Sequence, residues 1–166
     1  RLARLLDRIG PAVLFTHSAG GPAGWLTADA RPELVKGIIA IEPIGPAFGG
    51  FPGIGQLDWG LTAAPIGYEA GFTSAEDVKN ANPSELTIPA LKDLPISLVT
   101  GGASAFAGFA EEVVEFLNTA GADAAWLHLP EHGIDGNGHG LIFEANSDEI
   151  LKIIQRELDE RINIED

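Results

Sequence analysis

The segment at residues 11–24, PAVLFTHSAGGPAG, constrains the fold of this chain more than any other. Its apolar run over residues 12–16 is bounded by turn-forming residues, and this pattern predicts a buried strand. The small residues after Ser18 can begin a helix, with Pro22 in the first turn, where a missing N–H costs nothing. The segment therefore predicts a strand, a tight turn that carries Ser18, and a helix.

Ser18 has the surroundings of a nucleophile elbow. Such an elbow holds a serine hydroxyl clear of the backbone in a tight strand-to-helix turn, and small neighbours let the chains pass closely. The pattern here is Thr16-x-Ser18-x-Gly20, so Thr16 stands where G-x-S-x-G has its first glycine. Ser18 is therefore a candidate nucleophile whose partners must come from elsewhere in the chain.

Strands and helices alternate along the remaining sequence. Further apolar runs predict strands at residues 35–41, 95–100 and 124–129. Amphipathic or small-residue stretches predict helices at residues 1–9, 19–30, 110–120 and from Asn146, where Asn-Ser-Asp-Glu resembles a capping box. This alternation predicts an α/β fold with a mostly parallel sheet and helices on both faces.

Residues 43–94 differ from the rest because they are rich in Gly and Pro and have weak periodicity. A plain connection of that length is uncommon in a compact domain. We interpret the segment as a cover-like insertion with a short helix near residues 74–80. Residues 1–166 then form a single domain.

Composition argues against several kinds of partner. The 166 residues include 24 acidic and 10 basic side chains, for a formal net charge of −14. Nucleic acids and anionic membrane surfaces need a basic footprint, so neither is predicted to bind. No apolar run approaches the roughly 18 residues of a membrane-spanning helix, so no membrane insertion is predicted. The absence of cysteine excludes a disulfide framework.

An activated serine needs a histidine base and a carboxylate, and the loops after parallel strands meet at one end of a sheet. Among the four histidines, His139 is the candidate base. It lies in the loop GNGHG, whose glycines let the backbone bend the ring over a neighbouring loop. His17, His128 and His132 are interpreted as structural.

Glu42 is the candidate acid because it directly follows the predicted strand at residues 35–41. The loop after the strand at residues 95–100, GGASAFAGF, contains no carboxylate. Asp135 is the alternative acid, but it shares the short loop of His139 and is better placed to shape that loop. The residues thus predict a Ser-His-Glu arrangement.

With these residues in place, the chain resembles the α/β-hydrolase superfamily. Within it, the chain looks like a branch of bacterial and fungal esterases whose triad glutamate follows the strand after the nucleophile. The matching segments are THSAGG, GIIAIEPIGPAF and HGIDGNGHGLIFEANSDEI. The resemblance implies that Ser18 is the nucleophile, Glu42 the acid and His139 the base. It also implies that the backbone N–H of Ala19 contributes to an oxyanion hole.

The resemblance implies that these residues are the C-terminal half of such a fold. The superfamily builds its first strands before the nucleophile, and one oxyanion-hole N–H comes from a loop among them. We therefore expect the N-terminal half to lie outside these residues. The strand at residues 12–16 would then have an exposed apolar edge, and this chain alone would be nearly inactive.

The predicted function is hydrolysis of a small-molecule carboxylic ester through an acyl-enzyme, with no metal or organic cofactor. Lactonase, amidase or acyltransferase activity would use the same residues. One alternative is a non-catalytic hydrolase-fold protein that binds a small ligand or a partner. Another is a flavodoxin-like domain in which THSAGG binds phosphate at a helix N-terminus. A homo-oligomer is compatible with the sequence.

Overall fold

A parallel sheet with helices on both faces forms the body of the protein. The computed structural model describes residues 1–51, 53 and 55–162. The strands are β1 Ala12–His17, β2 Val35–Ile41, β3 Gly50–Phe51, β4 Gly55–Gln56, β5 Pro95–Thr100 and β6 Asp123–His128. The helices are α1 Leu2–Ile9, α2 Gly21–Ala30, α3 Ala75–Lys79, α4 Ala110–Thr119 and α5 Ser147–Arg161.

The order of the strands places the ends of β1 and β2 side by side. The main sheet has the order β1-β2-β5-β6, and every adjacent pair is parallel. His17 at the end of β1 pairs with Ile41 at the end of β2. The next residue after each strand, Ser18 and Glu42, therefore begins a loop at the same edge of the sheet.

Two apolar clusters cover the two faces of the sheet, which confirms the predicted α/β class. Alternate residues of a strand point to opposite faces, and in β2 Ile38 packs with α2 and α4 while Ile39 packs with α5. Both side chains are fully buried. Burial on both faces explains why the sequence of β2 is almost entirely apolar.

The segment at residues 43–94 packs against the face of the sheet that α2 and α4 cover. It contains the hairpin β3–β4 and the short helix α3, which lies within the predicted range 74–80. Ser74 begins α3 by accepting a hydrogen bond from the Asp77 N–H at 3.2 Å, and Asp77 accepts one from the Ser74 N–H. Buried apolar side chains of the segment at residues 43–94 belong to the apolar cluster on that face of the sheet: Leu61, Ile66, Tyr68, Val78, Leu86, Ile88 and Leu91.

Among the described residues, β1 is an edge strand of the sheet, paired only with β2. Phe15 in this strand is 52% exposed. In α1, only Leu6 of the amphipathic stripe is buried, and Leu2, Leu5 and Ile9 remain exposed. The apolar face of α1 is therefore less buried than the helical spacing of its leucine and isoleucine residues suggests. Within the described part of the chain, no helix combines the length and the apolar character needed to cross a membrane.

Candidate active site

Ser18 lies in a strained turn between β1 and α2. Its φ of 56° falls in the left-handed region, which non-glycine residues rarely adopt and which recurs at functional sites. Glycines give this turn its close contacts. A Cβ on Gly21 would lie 2.8 Å from the Cβ of Pro43, and a Cβ on Gly24 would lie 3.0 Å from the Cγ2 of Thr16. Gly24 therefore makes room for the threonine that replaces the first glycine of the motif.

His139 contacts Ser18 directly. Its Nε2 lies 2.8 Å from the Ser18 Oγ, a hydrogen-bonding distance. If the hydroxyl donates to Nε2, the proton of the neutral imidazole is on Nδ1. Nδ1 faces the Glu42 Oε2 at 3.6 Å and has no hydrogen-bond partner among the described residues. The contact is longer than a hydrogen bond, as is frequent in catalytic sites without substrate.

Glu42 is fully buried, so its carboxylate requires hydrogen-bond donors from the protein. Its Oε1 accepts a hydrogen bond from the Gly101 N–H at 2.7 Å, and its Oε2 accepts one from the Ser104 hydroxyl. Both donors come from the loop after β5, which contains no carboxylate. The loop after β5 therefore donates hydrogen bonds to Glu42, a carboxylate that follows the neighbouring strand β2.

The loop that carries His139 is held by a buried asparagine. Asn137 is 4% exposed. Its Nδ2 donates to the Asn146 Oδ1 at 2.7 Å and to the Glu144 Oε2 at 2.5 Å. Glu144 also accepts a hydrogen bond from the Gly138 N–H at 3.1 Å. These contacts fix the backbone immediately before His139.

The capping box predicted at Asn146 is absent. Asn146 is the residue that precedes α5, but its side chain makes no hydrogen bond to the first turn of the helix. The Asn146 Nδ2 instead donates to the Asn137 Oδ1 at 3.0 Å. The prediction was wrong because the side chain has a partner in the His139 loop.

Two further side chains contact His139. The Phe106 ring stacks on the imidazole with a centroid distance of 4.2 Å and an interplanar angle of 24°. The His17 Nε2 lies 2.8 Å from the backbone carbonyl oxygen of His139, where it can donate a hydrogen bond. Together they restrict both the ring and the backbone of the candidate base.

The other sequence candidates lie apart from this arrangement. The His128 Nδ1 is 3.1 Å from the Thr100 Oγ1, which accepts a hydrogen bond from the Trp126 Nε1 at 2.8 Å. His132 and Asp135 are exposed. The carboxylate that faces His139 therefore belongs to Glu42, not to the alternative acid Asp135.

The assembled groups can activate a hydroxyl. A serine beside an imidazole that faces a buried carboxylate is the arrangement that proteins use for nucleophilic catalysis. Ala19, the residue expected to contribute an oxyanion-hole N–H, is exposed and follows Ser18 in the turn Ser18–Gly20. Among the described residues, no group of three or more His, Asp and Glu side chains could hold a metal ion.

Known proteins that are similar to this chain include a lipase and an esterase. No protein-family model matches the chain. It is 39% identical over 169 residues to a probable secreted lipase of Fungal sp. (strain ATCC 74256), covering 90% of this chain and 46% of the lipase. A bacterial esterase of known structure superposes with a TM-score of 0.64 at 19% identity, covering 97% of this chain and 42% of the esterase.

A third similar protein is described as an α/β-hydrolase enzyme. An α/β-hydrolase enzyme from the metagenome of sediments of the lagoon of Mar Chica, Morocco, superposes with a TM-score of 0.57 at 17% identity, covering 96% of this chain and 67% of that enzyme. The chain has the α/β-hydrolase fold. The fold that the sequence predicts is therefore confirmed. This chain spans less than half the length of the fungal lipase and of the bacterial esterase.

Proposed function

We propose that this chain carries the Ser-His-Glu triad of a serine hydrolase that cleaves carboxylic esters. The observation that carries the proposal is the contact between the Ser18 Oγ and the His139 Nε2 at 2.8 Å, with the buried Glu42 carboxylate on the other side of the imidazole. The sequence similarity to a lipase and the structural similarity to an esterase support the choice of esters.

In the acylation step, the Ser18 Oγ forms a bond to the acyl carbon of the ester while the His139 Nε2 takes the hydroxyl proton. The Ala19 N–H donates a hydrogen bond to the oxyanion that develops. As the carbon–oxygen bond to the alcohol breaks, His139 transfers its proton to the leaving oxygen. The products of this step are the alcohol and an acyl group esterified to Ser18.

In the deacylation step, a water molecule loses a proton to the His139 Nε2, and its oxygen attacks the acyl carbon. The bond between this carbon and the Ser18 Oγ then breaks, and His139 returns the proton to the serine oxygen. The carboxylic acid is released. Throughout the cycle, the Glu42 carboxylate favours the proton on Nδ1 and stabilises the imidazolium that forms twice.

We further propose that full activity requires a segment outside these residues. Ala19 supplies one oxyanion donor, and the hydrolase resemblance assigns the second to a loop before the nucleophile strand. Removal of one such donor lowers kcat by about 10²–10³. The exposed apolar edge at Phe15 is the surface on which such a segment would pack. The segment at residues 43–94 would cover the completed site.

Hydrolysis of p-nitrophenyl esters tests the proposal. The assay uses the 166-residue chain and an N-terminally extended form, each with a Ser18→Ala variant. Ser84→Ala is the matched control, because Ser84 is an exposed serine in the turn Pro83–Glu85. We expect hydrolysis by the extended form, its loss in Ser18→Ala and its retention in Ser84→Ala. Hydrolysis that survives Ser18→Ala would refute the triad.

A further inference from the structure

We infer that Ser104 is a positioning residue that holds the Glu42 carboxylate in the orientation required by His139. This inference deepens the proposed function and rests on it. Ser104 does not touch the reacting atoms, and its effect on the reaction passes through the acid. The hydrogen bond from its hydroxyl to the Glu42 Oε2 is buried, and Ser104 itself is only 8% exposed.

The local backbone determines which way the Ser104 hydroxyl donates. The Ser104 Oγ accepts a hydrogen bond from the Phe106 N–H at 3.1 Å. Since that N–H occupies an acceptor site of the oxygen, the hydroxyl proton is free to point at the Glu42 carboxylate. Ser104 is thus a donor of fixed direction at the start of the turn Ala105–Phe109.

The two carboxylate oxygens of Glu42 have separate partners in one loop. Oε1 accepts from the Gly101 N–H at 2.7 Å, and Oε2 accepts from Ser104. The terminal torsion of a glutamate is broad, so a single donor leaves the carboxylate free to rotate about its axis. With two donors, the plane of the group is fixed and Oε2 is held on the side of His139.

Oε2 is also the oxygen that faces the His139 Nδ1 at 3.6 Å. A carboxylate oxygen can accept more than one hydrogen bond, so Ser104 and the His139 N–H can share it without competition. Ser104 provides a hydrogen-bond donor to the Glu42 Oε2 while the His139 Nδ1 is 3.6 Å from that oxygen. It keeps the acceptor in place when the imidazolium forms.

The consequence for kinetics is specific. In the proposed mechanism the imidazolium forms when His139 takes the Ser18 proton, so a displaced carboxylate reduces the stabilisation of the transition state more than that of the bound substrate. Loss of Ser104 should therefore lower kcat and leave KM almost unchanged. A residue with a purely structural role would alter stability without this separation between kcat and KM.

The test uses three variants of Ser104 in the N-terminally extended form, with Ser84→Ala as the control. Ser104→Ala removes the donor, and we expect kcat to fall about 10- to 100-fold, the loss typical of one hydrogen bond to a charged group, with KM within about twofold. Ser104→Cys keeps the size of the side chain with a weaker donor, and its kcat should also fall. Ser104→Thr keeps the hydroxyl and should restore kcat.

Melting temperatures and the low-field proton resonance of the imidazole N–H accompany the kinetics. We expect this resonance to shift in Ser104→Ala and to return in Ser104→Thr. An unchanged kcat in Ser104→Ala or Ser104→Cys, with an active unsubstituted protein, overturns this inference alone. A folded, unsubstituted protein that neither hydrolyses esters nor reacts with a fluorophosphonate at Ser18 overturns the proposed function. The role of Ser104 would then be overturned as well.

Discussion

Replacement of Gly101 by alanine should displace His139, the proposed catalytic base, by steric contact alone. A Cβ at this position would lie 2.1 Å from the carbonyl oxygen of Asn137 and 2.7 Å from its carbonyl carbon. An ordinary carbon–oxygen contact is about 3.3 Å, so the Asn137 backbone must move by about 1 Å. Asn137 is two residues before His139, and its carbonyl accepts a hydrogen bond from the Ala103 N–H at 3.0 Å.

The expected magnitude follows from that displacement. A shift of about 1 Å in a catalytic group costs about 10² in rate, so Gly101→Ala should lower kcat about 100-fold. Overpacking typically costs about 1–3 kcal/mol of stability, which a well-folded domain tolerates. The Gly101 N–H also donates to Glu42, and any movement of that bond adds to the loss.

Steady-state ester hydrolysis by the N-terminally extended form measures the effect, and circular dichroism verifies the fold. Gly108→Ala is the matched control, because a Cβ on Gly108 has no atom within 4 Å and the residue lies in the adjacent turn Ala105–Phe109. Gly108→Ala should keep the kcat of the unsubstituted protein. A Gly101→Ala protein that is folded and retains kcat within about threefold would show that His139 is not displaced, since a 1 Å shift predicts a much larger loss.

Three further predictions follow from single contacts. Glu42→Gln should lower kcat by about 10³–10⁴ with little change in KM, because an amide cannot stabilise the imidazolium. Ester-hydrolysis assays over a range of pH measure this loss. Thr16→Val should raise the free energy of unfolding by about 1 kcal/mol, because the buried Thr16 hydroxyl has no partner in the described structure. Urea titrations measure this gain. Thr27→Val is the control and should not stabilise the protein, because the Thr27 hydroxyl donates to the Ala23 carbonyl oxygen. Hydrogen bonds from Arg31 hold the pKa of Asp7 below its ordinary value of 3.8, so the stability lost in Asp7→Asn should be measurable at pH 7 and should vanish as the pH falls through the folded-state pKa.

The sheet could be predicted from sequence because its strands are continuous apolar runs. β2 and β5 have the predicted bounds, 35–41 and 95–100, since strands buried on both faces leave an unbroken apolar signal. The positions of Ser18 and Glu42 could be predicted for a related reason. Parallel strands present their carboxyl ends at one edge of the sheet, so residues that directly follow neighbouring strands must lie close together.

The support of the site could not be predicted in the same way. Ser104 is a small polar residue in a loop that is mostly glycine and alanine, and no periodicity distinguishes it from a solvent-exposed serine. The pairing of Asn137 with Asn146 depends on the path of the loop between them, so local rules assigned Asn146 to a helix cap. The glycine pair at residues 101–102 was the available signal, because close backbone approach is a common reason for glycine in a loop.

The most direct test of the account is covalent labelling with a fluorophosphonate, which reacts with an activated serine. The measurement is the site of modification, determined by mass spectrometry of peptides from the N-terminally extended form, with Ser18→Ala and His139→Ala as companions. We predict one modified serine, Ser18, and loss of labelling in both variants. Labelling of a different serine, or none in a folded and unsubstituted protein, would contradict the central claim that His139 and Glu42 activate Ser18.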